Sequence, residues 1–194
     1  MVNSDTQAQA QMVQFFKYFN RFMLLMWRLG LGPALNLSPD RMGRIMVLTH
    51  TGRKSGLRRR TPTNYAIIDD DIYLTAGFGA QSQWYKNIMA NPQVEVWLPE
   101  GWWAGEAADV TDEEGALDKL RVVLVASGFV APMLNIEPQT MSDEDFRAAT
   151  TGYRLLRIRR TDARTGPDGP GELAWVWPLL TLLLLLLLIV RPRR

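Results

Sequence analysis

Thr49-His50-Thr51-Gly52-Arg53-Lys54-Ser55-Gly56-Leu57-Arg58-Arg59-Arg60 joins two stretches rich in β-forming residues, Arg44 to Thr49 and Thr61 to Ile68. Its two glycines permit backbone angles closed to other residues and leave amides bare, and Ser55 adds a hydroxyl. Five cations in the eight residues from Arg53 to Arg60 offer charge-assisted bonds to phosphate or carboxylate. It is not a Walker loop, because the Gly-four-residues-Gly-Lys spacing is absent and a strand follows where a helix should. The stretch reads as a cationic hairpin loop; a solvated basic turn, or a patch drawn to anionic surfaces, is the alternative on these residues alone.

Outward from the loop, the chain alternates short strands and turns. Thr61 to Ile68 and Ile72 to Ala76 are separated by the turn-forming Asp69-Asp70-Asp71, whose consecutive acids point in different directions and suit a solvated turn rather than a metal. Strand Ile72 to Ala76 empties into Gly77-Phe78-Gly79, where missing side chains let a ligand near the backbone. A helix over Gln83 to Ala90 follows, then strands over Val94 to Leu98 and Trp102 to Val110. Thr111 and Glu114 form a capping-box pattern that predicts a helix running to about Ser127. Ser142 caps a short helix before a last strand, Tyr153 to Arg160. About six strands with few intervening helices predict an α+β chain built on a small antiparallel barrel, spanning 34–160.

The two ends differ from this middle. Over Met12 to Met26 apolar residues recur at three-and-four spacing, predicting an amphipathic helix within 1–33, packed on the barrel or lying in a membrane interface. Segment 161–172 is rich in Gly, Pro, Asp and Thr and reads as a linker. Leu173 to Val190 carries no charge, so 173–194 reads as a transmembrane helix with Trp175 and Trp177 at one interface and Arg191, Arg193 and Arg194 at the other.

Composition narrows the chemistry. Basic and acidic residues, 22 and 20, nearly cancel, which argues against a nucleic-acid partner. Zero cysteines exclude disulfides, iron–sulfur clusters and thiol catalysis, and a single histidine argues against an imidazole zinc site. That histidine, His50, adjoins the cationic loop at a strand end, where a structural role is the commoner one. The polar start, Met1 to Gln11, lacks the pattern of a secretory signal, so the body is expected in the cytoplasm.

Gly52-Arg53-Lys54-Ser55-Gly56, Arg60-Thr61-Pro62, and Trp84-Tyr85-Lys86-Asn87-Ile88-Met89-Ala90-Asn91-Pro92, in this order and spacing, resemble the deazaflavin-dependent nitroreductase family. The resemblance covers roughly Asn20 to Arg160 and implies a split β-barrel that binds reduced coenzyme F-420, a hydride carrier with a phosphate and an oligoglutamate tail. It implies Arg53, Lys54 and Ser55 at the phosphate. Arg59, Arg60, Thr61, Pro62, Thr63 and Asn64 would lie along the tail and ring-side strand. Thr75, Ala76, Gly77 and Phe78, with Gln83, Trp84, Tyr85, Lys86 and Asn87, would surround the deazaflavin. Where nitroreductase members place tyrosines beside the substrate, this chain has Ala126 and Phe129; Phe129 then serves as an apolar wall, and a proton, where the reaction needs one, comes from solvent, Tyr65 near the ring or another group.

The expectation is therefore an F-420-dependent oxidoreductase with no metal and no catalytic triad, passing hydride to a small lipophilic acceptor, a quinone or a nitro compound. With its tail, the chain is expected at the cell membrane, barrel on the cytoplasmic side, with a homodimer left open. A flavin mononucleotide (FMN) enzyme on the same barrel is the first alternative. A non-catalytic membrane-anchored module whose basic loop binds anionic headgroups is the second.

Overall fold

The computed structural model describes residues 2–190. Helix α1 (Val2–Arg28) leads through two single turns, α2 (Gly32–Leu35) and α3 (Pro39–Met42), into the sheet. Strands β1 (Ile45–Thr51), β2 (Arg58–Asn64), β3 (Ala66–Ile68) and β4 (Asp71–Ala76) precede α4 (Gln83–Ala90). Then come β5 (Gln93–Leu98), β6 (Gly101–Asp109), helices α5 (Ala116–Val125), α6 (Val130–Met133) and α7 (Asp143–Ala149), strand β7 (Arg154–Ala163), and α8 (Val176–Val190).

Seven strands, in the order β2-β1-β5-β6-β7-β4-β3 and antiparallel throughout, curl into a half-barrel. The expected count of about six rises by one because Thr61 to Ile68 is two strands rather than one. Tyr65 interrupts the ladder, with β2 pairing to β1 and β3 to β4, so one run of β-forming residues serves both edges of the curl.

Alternation along each strand divides the core. Met46 and Leu48 of β1, Leu74 of β4, Val96 of β5 and Leu156 of β7 fill the concave side together with Ile88 of α4. Val47 of β1 points the other way and packs with Trp97 and Trp102 against Trp27 of α1. A third cluster, around Tyr73, Val123, Leu124 and Phe146, seats α5, α6 and α7 on the β3–β4 edge. Helix α1 thus packs on the barrel through Met23 and Trp27, while Phe22 and Leu25 stay exposed. Its side chains at Met12 and Phe15 lie outside the described residues.

Two expectations about helices are corrected. Thr111 does not cap α5; its hydroxyl donates to Asp109, and its backbone N–H does the same at 2.9 Å, so the helix starts only after Gly115, which adopts φ +72°. The transmembrane helix is overturned. Leu173, Ala174 and Trp175 belong to turns that return to the end of α1, through Leu173 N–H to Arg28 O at 2.8 Å and Trp177 Nε1–H to Leu29 O at 2.8 Å. The helix left over is 15 residues long. At ~1.5 Å per residue that is ~22 Å, against the ~30 Å hydrocarbon core of a bilayer. Among the described residues no helix is long and apolar enough to cross a membrane. Arg191, Arg193 and Arg194 lie outside those residues.

Segment 161–172 is held by the barrel rather than by apolar surface of its own. Strand β7 runs to Ala163, Arg164 N–H bonds Trp102 O at 2.7 Å, and Gly171 N–H bonds Trp27 O at 2.9 Å. Glu172 pairs with both Arg28 and Arg60. The segment acts as a strap across the outer face.

Candidate active site

The antiparallel register of β1 and β2 decides which way each arginine of the decisive stretch points. His50 pairs with Arg59 and Leu48 with Thr61, so Arg59, Thr61 and Thr63 share the concave side, while Arg58 and Arg60 lie opposite Thr51 and Thr49 on the outer side. The outer pair is committed to acids: Arg58 bonds Glu95, and Arg60 sits over the Trp97 ring at 4.7 Å, pairs with Glu172 at 3.3 Å and donates to Asp168 O at 2.6 Å. Arg60, expected along the cofactor tail, is therefore a fastening for the strap.

The other cations are unneutralised. Arg53, Lys54 and Arg59 are exposed, and among the described residues none is within ion-pair distance of a carboxylate. Arg53 is held by neutral acceptors: its Nη2 donates to Gln83 Oε1 at 3.0 Å, its Nη1 to Asn87 Oδ1 at 3.0 Å, and its backbone N–H to the same oxygen at 3.2 Å. The loop is tight at its base, where a Cβ on Gly52 would lie 2.8 Å from Ser55 Oγ and 3.0 Å from Arg59 Nε and would push both side chains aside. Ser55 accepts a bond from Leu57 N–H at 3.4 Å, and Lys86 is exposed on α4.

Beneath the loop lies a buried polar line. Asn87 Nδ2 is 3.2 Å from His50 Nδ1, and His50 Nε2 is 3.2 Å from Thr61 Oγ1. Burial, reinforced by the Arg59 charge, lowers the His50 pKa to about 4, so the ring is neutral near pH 7.

Gln83 links the loop to a cavity of about 910 Å³ that opens beside it. Thr61, Pro62, Thr63 and Asn64 form one wall, Thr75, Gly77, Phe78 and Trp84 a second, and Leu124, Ser127, Val130 and Leu134 a third. The chain can turn sharply after Gly77 because Gly79 takes φ +56°, at a point where a Cβ would lie 2.2 Å from Gly152 O. The cavity is predominantly apolar with polar groups at its β2 and α4 edges, the composition of a site for a planar organic molecule.

Several expected residues lie elsewhere. Ala76 faces the concave core, and Tyr85 turns from the cavity to donate its hydroxyl to Asp109, leaving Trp84 as the α4 aromatic at the cavity. Burial raises the Tyr85 pKa and the bond to Asp109 raises it further. Tyr65 is 3% exposed and outside the cavity lining, and burial, with the Glu100 charge, pushes its pKa up to about 12 against the opposing charge of Arg44. Phe129 stands one layer behind the wall, edge-on to Phe19 with centroids 6.2 Å apart. Ala126 packs against the α5 cluster.

The sequence reading missed two contributions. Helix α1 closes the open side of the cavity with Phe16, Phe19 and Asn20. These continue the stripe of Met23 and Trp27 at helical spacing, a signal that marked a packed face without saying what lay under it. Tyr153 lines the cavity beside Gly77 and is the only phenol among its lining residues, its pKa raised by burial.

The cations, the apolar hollow and their junction at Gln83 fit an elongated ligand with an anionic end and a planar end. Residues 35–130 match the model of the family described as F420H(2)-dependent quinone reductase. Similar solved structures include a conserved hypothetical protein of Mycobacterium tuberculosis, 25% identical, covering 62% of this chain and 75% of that one, with TM-score 0.46. An F-420-H2-dependent reductase is 19% identical, covering 60% and 94%, with TM-score 0.45. A putative 5-nitroimidazole antibiotic resistance protein of Bacteroides thetaiotaomicron is 13% identical, covering 62% and 75%, with TM-score 0.46. With this match the FMN and non-catalytic alternatives fall away: the chain belongs to the F-420-dependent split-barrel oxidoreductases, and coenzyme F-420 is its cofactor.

Proposed function

We propose that this oxidoreductase reduces a small lipophilic acceptor of the quinone type, which binds in the apolar part of the cavity. The observation that carries the reading is a predominantly apolar cavity closed by Phe16 and Phe19 that lies beside a loop whose cations Arg53, Lys54 and Arg59 are exposed, with Gln83 lining the one and bonding Arg53 of the other. The family match supports the same acceptor class.

Coenzyme F-420, when bound, supplies a hydride. The chain supplies the rest. Arg53, Lys54 and Arg59 would hold the anionic tail; Thr61 to Asn64, with Thr75, Gly77 and Phe78, would flank the ring, and Trp84 would be an aromatic wall. Phe16, Phe19, Val130 and Leu134 exclude water from the acceptor and orient it by shape. A quinone receiving hydride also needs a proton on oxygen. Tyr153 Oη makes no hydrogen bond among the described residues, so its O–H is free to donate to that oxygen and recover the proton from solvent.

The test is turnover with menaquinone analogues against water-soluble nitro compounds. A preference for the quinone, with Tyr153→Phe slowing turnover about 100-fold at unchanged cofactor affinity, is expected. Turnover confined to the water-soluble acceptors overturns the acceptor assignment, and a Tyr153→Phe variant at full rate removes the phenol from the proton path.

A further inference from the structure

We infer that His50, which the reaction outlined above does not use, is a positioning residue for the anion-binding loop: its Nδ1 accepts from the Asn87 amide and thereby fixes which end of that amide grips Arg53. The inference rests on the reading of Arg53 as a holder of the cofactor's anionic tail.

A side-chain amide has two chemically opposite ends, a donor NH₂ and an acceptor oxygen. Arg53 presents only donors to Asn87, its backbone N–H at 3.2 Å and Nη1 at 3.0 Å. Only the oxygen can face them, and a rotated amide would set NH₂ against both. What selects the orientation lies on the far side, where Asn87 Nδ2 meets His50 Nδ1 at 3.2 Å. An imidazole nitrogen accepts only if it carries no proton, so the ring must be neutral with its proton on Nε2. That proton has an acceptor, Thr61 Oγ1, at 3.2 Å.

The donations in this relay therefore run one way, from Arg53 in the loop to Asn87 on α4 to His50 on β1 to Thr61 on β2. The two central members are 4% and 5% exposed, so water cannot substitute for a missing partner. The other restraints on the Arg53 side chain, from Gln83, are exposed. Because every group holding Arg53 is neutral, its whole charge stays available to the anion. A histidine serving merely as core filler would need neither this tautomer nor an acceptor at Nδ1.

Since His50 is the only histidine, nitrogen-15 NMR of the full chain gives one imidazole signal set. At pH 7 it should show a neutral ring protonated at Nε2; a ring protonated at Nδ1, or charged, overturns the inference. Calorimetric titration with coenzyme F-420 supplies the second readout. His50→Asn, whose Oδ1 stands at the position of the ring Nδ1 and can accept from Asn87, should bind within about twofold of the unaltered protein, and His50→Phe about tenfold more weakly at unchanged kcat. Equal affinity of all three, or equal loss in both variants, refutes it. Should His50→Phe fail to fold, Asn87→Asp decides: a carboxylate facing Nδ1 must move the His50 titration upward, and an unmoved titration breaks the relay. If the unaltered protein takes up no F-420, the cofactor reading falls, while the tautomer and the Asn87→Asp titration still judge the relay.

Discussion

The two faces of strand β2 carry the same residue type to opposite ends. On the outer face Arg58 and Arg60 meet Glu95 and Glu172 and serve the fold. On the concave face Arg59, joined by Arg53 and Lys54 of the preceding turn, meets no carboxylate among the described residues. A composition count treats these five cations alike. Strand alternation separates them, because side chains on a pleated ladder switch sides at every residue, and acids were available on one side only. What distinguishes a binding cation from a structural one here is therefore the absence of a nearby counter-charge.

That contrast can be broken from the concave side first. Replacing Arg53 and Lys54 together by alanine removes two charge-assisted contacts of ~2 kcal/mol each, so F-420 affinity should fall about 1000-fold with the melting temperature unchanged. Calorimetry beside a thermal melt measures both. Next comes pH. His50 has a folded pKa of about 4 against 6.5 when unfolded. The unfolded chain thus binds the extra proton, and stability is whole above about pH 6.5 and is lost as pH falls toward 4, by ~3 kcal/mol in denaturant titrations. Arg59→Ala should narrow that window by removing a nearby positive charge; an unaltered window would mean that the Arg59 charge does not reach the ring. From the outer face, Arg60→Ala should cost ~2 kcal/mol of stability through its lost place over Trp97 and beside Glu172, while F-420 affinity stays within about twofold. A drop in affinity would return Arg60 to the cofactor. Smallest is Arg58→Ala, whose half-exposed pair with Glu95 should change stability by under ~0.5 kcal/mol and binding not at all.

Much of this arrangement was legible before any coordinates. The cationic turn between strands, the helix at Gln83 and the strands from Val94 onward all follow from local residue chemistry, and they stand close to where they were read. The resemblance in Gly52 to Gly56 and Trp84 to Pro92 identified the cofactor. What could not be read were pairings across long stretches of chain. Glu172 reaches Arg60 over 112 positions, and Asn87 reaches His50 over 37, with no local pattern announcing either. Tyr85 looked like a wall for the ring until Asp109 drew its hydroxyl away. The terminal leucine run failed for a different reason. Hydropathy counts apolar residues, whereas crossing a bilayer depends on unbroken helix, and the turns at Leu173 to Trp175 shorten it.

The strap ties the far end of the chain to its beginning. Gly171, Leu173 and Trp177 all donate to carbonyls at the C-terminal end of α1, from Trp27 to Leu29, while the same helix, two to three turns earlier, presents Phe16 and Phe19 to the cavity. Helix α1 is thus a lever with its fulcrum at Trp27: a backbone clasp sets its tilt at one end, and the width of the acceptor chamber is decided at the other. A cut anywhere in residues 164–173 would loosen the chamber without touching any residue that lines it.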